Sequence, residues 1–146
     1  MSKLSLDRTL STILIVILII AVIATFYIVL APSQSEKFTE FYILGSNGKA
    51  GDYPTNLTIN QEGKVTVGIV NHENTNTTYQ LIVKFNRNIL KNETFSLLNN
   101  EKREIPFSFI TINVGNNQKL EFLLYKLPNT KDTYRSLHLI VDVNTS

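Results

Sequence analysis

The chain has 146 residues, 43% of them hydrophobic and 18% charged, with a formal net charge of +2 at pH 7 and no cysteine. The lack of cysteine excludes disulfides, thiol chemistry and cysteine-ligated metal sites. Setting aside Lys3, Arg8 and Asp7, the charges nearly balance. That balance gives no basic footprint for nucleic acid.

The first element is apolar. Residues 13 to 30 read ILIVILIIAVIATFYIVL, and no charge falls from Thr9 to Ser35. About 20 such residues, at 1.5 Å rise each, span the ~30 Å hydrocarbon core of a bilayer. The β-branched content would suit a strand in water, but lipid leaves the backbone of an open strand without partners. A transmembrane helix is therefore expected from Leu10 to Ala31, with the lipid bilayer as its partner. Phe26 and Tyr27 lie near one end, where rings favour the headgroup level, and Pro32 is expected to stop the helix.

Lys3 and Arg8 flank the N-terminal side, while the nearest cation beyond the run is Lys37, beside Glu36. The positive-inside bias places residues 1–9 in the cytoplasm and the C-terminal part outside a single-pass membrane protein. The run exceeds the apolar region of a secretory signal, about 7–15 residues, and APSQS is a poor cleavage site. A retained signal anchor is thus expected, followed by a linker at 32–37 and one extracytoplasmic domain at 38–143. A pilin-type leader would need a Gly or Ala processing site, and the basic stretch before the helix lacks one.

From Lys37 onward apolar residues alternate with period two, and turn signals recur every ten or so positions. Phe38 to Leu44 reads as a strand that ends at the turn Gly45-Ser46-Asn47-Gly48. Asn56 to Asn60 is a short strand. Val65, Val67 and Ile69 alternate with Lys64, Thr66 and Gly68, then a polar loop is expected from Asn71 to Thr77. Tyr79, Leu81, Val83 and Phe85 alternate next. Phe95 to Leu98 precedes a turn at Asn99-Asn100. Ile105, Phe107 and Phe109 follow in a strand whose Pro106 argues for an edge or a bulge. Gly115-Asn116-Asn117 precedes a strand from Lys119 to Leu127, and Leu137, Leu139, Val141 and Val143 alternate in the last. Seven or eight short strands in ~110 residues indicate a mainly β chain, an immunoglobulin-like antiparallel β-sandwich behind one helix.

No chemistry is nominated by spacing. His72 and His138 are isolated, whereas a zinc site needs three or four ligands. The carboxylates are scattered singly, and the serines lack a nucleophile-elbow setting. Gly45 to Lys49 lacks the spacing of a phosphate loop. No catalytic, metal or cofactor-binding residue is assigned, and no cofactor is expected. Asn56, Asn76, Asn92 and Asn144 each open an Asn-x-Ser/Thr sequon, sites for N-glycosylation of an exported domain. Sandwiches display binding loops at their ends, which nominates Asp52, Tyr53 and Pro54, with Asn71, His72 and Glu73, as interaction residues.

The blocks Phe41-Tyr42-Ile43-Leu44-Gly45-Ser46-Asn47-Gly48-Lys49-Ala50, Asp52-Tyr53-Pro54-Thr55-Asn56-Leu57-Thr58 and Val67-Gly68-Ile69-Val70-Asn71-His72-Glu73 carry a resemblance. Together they resemble an uncharacterised archaeal membrane-protein domain, the domain of unknown function sixteen-sixteen, over roughly Phe38 to Val143. The resemblance implies one sandwich unit in an archaeal surface setting and brings no catalytic residue. The family usually carries more than one membrane helix before this domain, where this sequence shows one.

The function expected is that of a non-enzymatic, membrane-anchored surface protein whose sandwich contacts an envelope protein or glycan. The alternative is a pilin-like or stator-like subunit of an archaeal surface filament or motor.

Overall fold

The computed structural model describes residues 2–31 and 36–145. Pro32 and most of the expected linker lie outside the described residues. The chain divides into two compact units, Met1–Ser35 and Glu36–Ser146.

The first unit is one helix, α1 (Ser2–Leu30), which begins well before the apolar run. Its segment Leu6–Leu30 is long and apolar enough to cross a membrane, a property that anchors and signal sequences share. The apolar residues surround the helix rather than forming a stripe, so no side of it is built to face water. Two of its hydroxyls are satisfied within the helix: Thr12 Oγ1 donates to the Arg8 carbonyl and Thr25 Oγ1 to the Ala21 carbonyl, each at 2.8 Å. Such back-bonding to the preceding turn removes the cost of carrying a hydroxyl into an apolar medium.

The second unit is a two-layer sandwich of eight strands. They are β1 (Phe38–Leu44), β2 (Asn56–Thr58), β3 (Glu62–His72), β4 (Thr77–Phe85), β5 (Asn88–Leu97), β6 (Lys102–Ile110), β7 (Gly115–Lys126) and β8 (Arg135–Asn144). One sheet runs β1-β3-β6 and the other β2-β8-β7-β4-β5, with every pairing antiparallel except β2 with β8. The inward residues are those that the alternation nominated: Val65, Val67 and Ile69 on β3, and Tyr79, Leu81 and Val83 on β4, are at most 3% exposed. β6 is an edge strand, as its Pro106 requires, because that residue offers no N–H to a further neighbour.

β2 stops at Thr58, short of Asn60, and other boundaries also differ from the sequence reading. β3 runs on through Asn71 and His72, which were expected in a loop. β5 starts at Asn88 instead of Phe95, since its first half lies on a sheet edge where neighbouring Ile89 and Leu90 are both exposed and no alternation is imposed. The expected turn at Gly115-Asn116-Asn117 is an irregular start of β7, with a register shift between Gly115 and Gln118.

Asparagine supplies most of the tight corners. Asn60, Asn74, Asn86, Asn100 and Asn117 all take positive φ, as does Asp52. Short amide side chains tolerate that left-handed region better than most. None of these is a sequon asparagine; Asn56, Asn76, Asn92 and Asn144 are all exposed. Glycine is required twice on β3, at Gly68 and at Gly63, where a Cβ would stand 2.6 Å from the Phe109 ring. A Cβ at Gly68 would stand 2.1 Å from the Tyr42 ring, which lies across this position and donates its hydroxyl to Glu104 at 3.1 Å.

Candidate functional site

The nominated loop residues separate to opposite ends of β1. At its start, Asn71 and Glu73 face inward: Asn71 is 0% and Glu73 5% exposed. The Asn71 amide donates to the carbonyls of Thr75, Leu97 and Leu98 at 2.8, 3.0 and 3.1 Å, and its oxygen accepts the Glu73 N–H at 2.9 Å. The Glu73 carboxylate accepts from Thr39 Oγ1 at 2.8 Å, the Tyr134 hydroxyl at 2.6 Å and Lys126 Nζ at 3.0 Å. With the Thr39 proton committed there, the Tyr79 hydroxyl is the donor in its 2.7 Å contact with Thr39, and it has a longer 3.2 Å arm to Asn71 Oδ1.

Burial pushes the Glu73 carboxyl upward, but donation from Tyr134, Thr39 and Lys126 outweighs it and holds the group below its ordinary range. Burial raises the Tyr79 phenol. On Lys126, burial acts downward, and bonding to Glu73 overcomes it to keep the ammonium charged. This carboxylate ties the end of β3 to β1, to β7 and to Tyr134 just before β8. Its legibility in sequence is nil, because Tyr134 lies 61 positions from Glu73.

His72 alone of this trio reaches the surface. Its Nε2 lies 2.9 Å from Glu40 Oε1 and its Nδ1 3.1 Å from Asn100 Oδ1. Two acceptors facing two ring nitrogens favour the doubly protonated ring, and first the Glu40 bond, then the Asn100 bond, raises its pKa. The Phe38 ring packs against it with centroids 4.7 Å apart.

At the other end of β1, Asp52 is exposed and holds Asn47 Nδ2 at 2.6 Å, while Tyr53 and Pro54 are half-buried. The Tyr53 hydroxyl donates to the Ile43 carbonyl at 3.1 Å. His138 projects from the outward side of β8. Among the described residues, no three His, Asp or Glu side chains gather into a metal-binding group.

Between these two ends lies a feature that no local pattern announced. β1 edges one sheet, and on the same side β8 is covered by the short β2 only over Asp142–Asn144; among the described residues β1 and β8 share no ladder. A cleft of about 530 Å³ opens between them, lined by Phe41, Ile43, Tyr53, Leu137 and Leu139. It meets a smaller one of about 310 Å³ beside Thr39, Arg135 and Ser136. Phe41, Ile43, Leu137 and Leu139 are only partly buried and pack on the core from outside. The floor is therefore apolar, one end is closed by the Thr39–Glu73 network, and the other by Tyr53.

The fold and site define an immunoglobulin-like sandwich of two sheets following one apolar N-terminal helix, with its open groove on a sheet edge. The chain belongs to the family named Domain of unknown function (DUF1616), whose model matches residues 32–142. No curated protein matches it. Among solved structures it is similar to a crystal structure of a CARDB domain from Pyrococcus furiosus, in complex with di-metal ions. That match has 18% identity and a TM-score of 0.56, covering 75% of this chain and 96% of that one. The solution NMR structure of the same domain gives 19% identity and a TM-score of 0.56, covering 76% of this chain and all of that one. A chain from the human complex of Zinc 2-glycoprotein and Prolactin inducible protein gives 8% identity and a TM-score of 0.51, over 78% and 99% of the two chains. At such identities the likeness is one of fold.

Proposed function

We propose that this protein is a non-enzymatic, single-pass membrane-anchored surface protein whose sandwich makes contacts with another molecule of the cell envelope. In this reading α1 is retained in the bilayer, the N-terminus is cytoplasmic and the sandwich is outside. The observation that carries it is the β1–β8 groove, where partly buried apolar side chains lie beside unpaired strand backbone. That combination fits an extended protein segment better than a small polar substrate, because strand addition satisfies the backbone while alternate side chains fill the apolar floor. Exposure of the four sequon asparagines is compatible with glycans around it, and Asn92 sits on β5, away from the groove.

Two measurements on the full chain in native membranes test the reading together. Protease added to intact cells should remove the sandwich, and chemical crosslinking with mass spectrometry should place crosslinks on peptides bordering β1 and β8. A sandwich cut only after lysis contradicts the topology. Crosslinks confined to the far side, on β5 and β6, contradict the surface.

A further inference from the structure

The geometry points to a second copy of this chain as the molecule that occupies the open edge: we propose that β8 pairs antiparallel with β8 of the second copy over Arg135–Val141, centred on His138. This rests on the reading of the sandwich as a contact module and names its partner.

The backbone parity of β8 sets which groups are free. Asp142 donates its N–H to the Thr55 carbonyl at 2.8 Å, and the Asn144 carbonyl accepts the Ile59 N–H at 2.9 Å, so these even-numbered residues face β2. Backbone direction alternates along a strand. Ser136, His138 and Ile140 therefore point their N–H and C=O groups to that same side, while Arg135, Leu137, Leu139 and Val141 bond to β7. β2 covers β8 only from Asp142 to Asn144. Among the described residues no other strand takes the remaining window.

The other outer edges are defended against pairing. β6 has Pro106 at its middle, with Lys102, Arg103 and Glu104 before it. β5 carries the Lys91–Glu93 ion pair and lies opposite a register shift at Val83/Lys84. The Tyr53 hydroxyl caps the Ile43 carbonyl on β1. Lysines, prolines and bulges are the usual devices that keep an edge from acquiring a neighbour. From Ser136 to Val141 β8 has none of them: the sequence is SLHLIV, and its register against β7 is unbroken from Val141 to Arg135.

The free window is also self-complementary. It is bounded by Arg135, where the strand starts, and by Asp142, the first residue that β2 takes, so His138 is its midpoint. Antiparallel pairing about that midpoint sets His138 opposite His138, and Ser136 opposite Ile140. It forms about six ladder hydrogen bonds from groups now unpaired. On the inner face Leu137 meets Leu139 of the other copy, and four leucines close the two groove floors into one. A two-fold contact of this kind uses the same patch on both copies and is closed, so it ends at a dimer. A partner strand that ran parallel, extending β2, would gain the same bonds without the leucine match.

The cysteine-free chain allows a direct test. Directly opposed residues that exchange both hydrogen bonds have Cα atoms about 5.5 Å apart, within the 4.4–6.8 Å range of a disulfide. The full chain in membranes carrying His138→Cys should form a disulfide-linked dimer under mild oxidation, at least five-fold more than Thr94→Cys, which places the thiol on exposed β5. Mixing Ser136→Cys with Ile140→Cys chains should also crosslink, and His138→Pro removes only an N–H that β7 does not use. His138→Pro, probed by amine crosslinking, should abolish the dimer without lowering the unfolding midpoint appreciably. If His138→Cys crosslinks no better than Thr94→Cys, the self-pairing is overturned. In that event, groove-side crosslinks to a different envelope protein would leave the contact-module reading standing, whereas their absence would remove both.

Discussion

Along one long side of the sandwich, β5 and β6 are joined across the two sheets by the Glu93–Arg103 ion pair, and the Arg103 guanidinium lies 4.6 Å over the Phe95 ring. Along the other side, no ion pair among the described residues joins β1 to β8, and a groove floored by Phe41, Ile43, Leu137 and Leu139 lies between them. The closed side buries its aromatic ring: Phe95 is 7% exposed, while the groove residues are only half-buried. One domain thus spends charge and aromatic area to seal one flank and leaves apolar surface and free backbone on the opposite flank. The difference assigns stability to the β5–β6 side and contact to the β1–β8 side.

The largest expected effect is on the sealed side. Phe95→Ala should destabilise the sandwich by about 3–5 kcal/mol, as truncation of a buried aromatic does, read by denaturant unfolding. Next is the polar network that closes one end of the groove. Asn71→Ala would orphan the carbonyls of Thr75, Leu97 and Leu98, and should cost roughly 3 kcal/mol in the same assay. On the open side Leu139→Ser should cost only about 1 kcal/mol, because the residue is already partly solvated, yet it should reduce groove-side crosslinking several-fold. A stability loss at Leu139 equal to that at Phe95 would erase the distinction between the flanks.

The smallest effects are those of pH. The Glu73 carboxyl is held below its ordinary value of 4.5, so its stabilising contribution is present above that value. It is lost as pH falls through the lower folded value. Glu73→Gln should therefore flatten the acid limb of stability against pH. His72 has the opposite sign: its pKa is raised above 6.5, so its contribution is present below that value and fades as pH rises through the folded one. Because the His72–Glu40 pair is more exposed than Glu73, Glu40→Gln should change the stability profile by less than Glu73→Gln does.

The layering of the fold was legible because alternation is local: Val65, Val67 and Ile69, or Tyr79, Leu81 and Val83, announce an inward face within a few residues. Pro106 likewise announced an edge by its missing N–H. Other features needed partners far along the chain. Asn71 and Glu73 look like loop residues until Thr39, Tyr79, Lys126 and Tyr134 are brought around them, and the first half of β5 has no inward face to pattern. The groove was illegible for a different reason. It depends on β2 pairing with only the last part of β8, a long-range match that no local pattern announces.

Amide hydrogen exchange across β8, measured on the full chain in detergent over a range of protein concentrations, tests the account most directly. Leu137 and Leu139 should be protected at every concentration through their bonds to β7. Ser136, His138 and Ile140 should exchange fast when the protein is dilute and slow as it is concentrated. Equal protection of all five amides in the dilute protein would mean that the chain covers its own edge, contradicting the account.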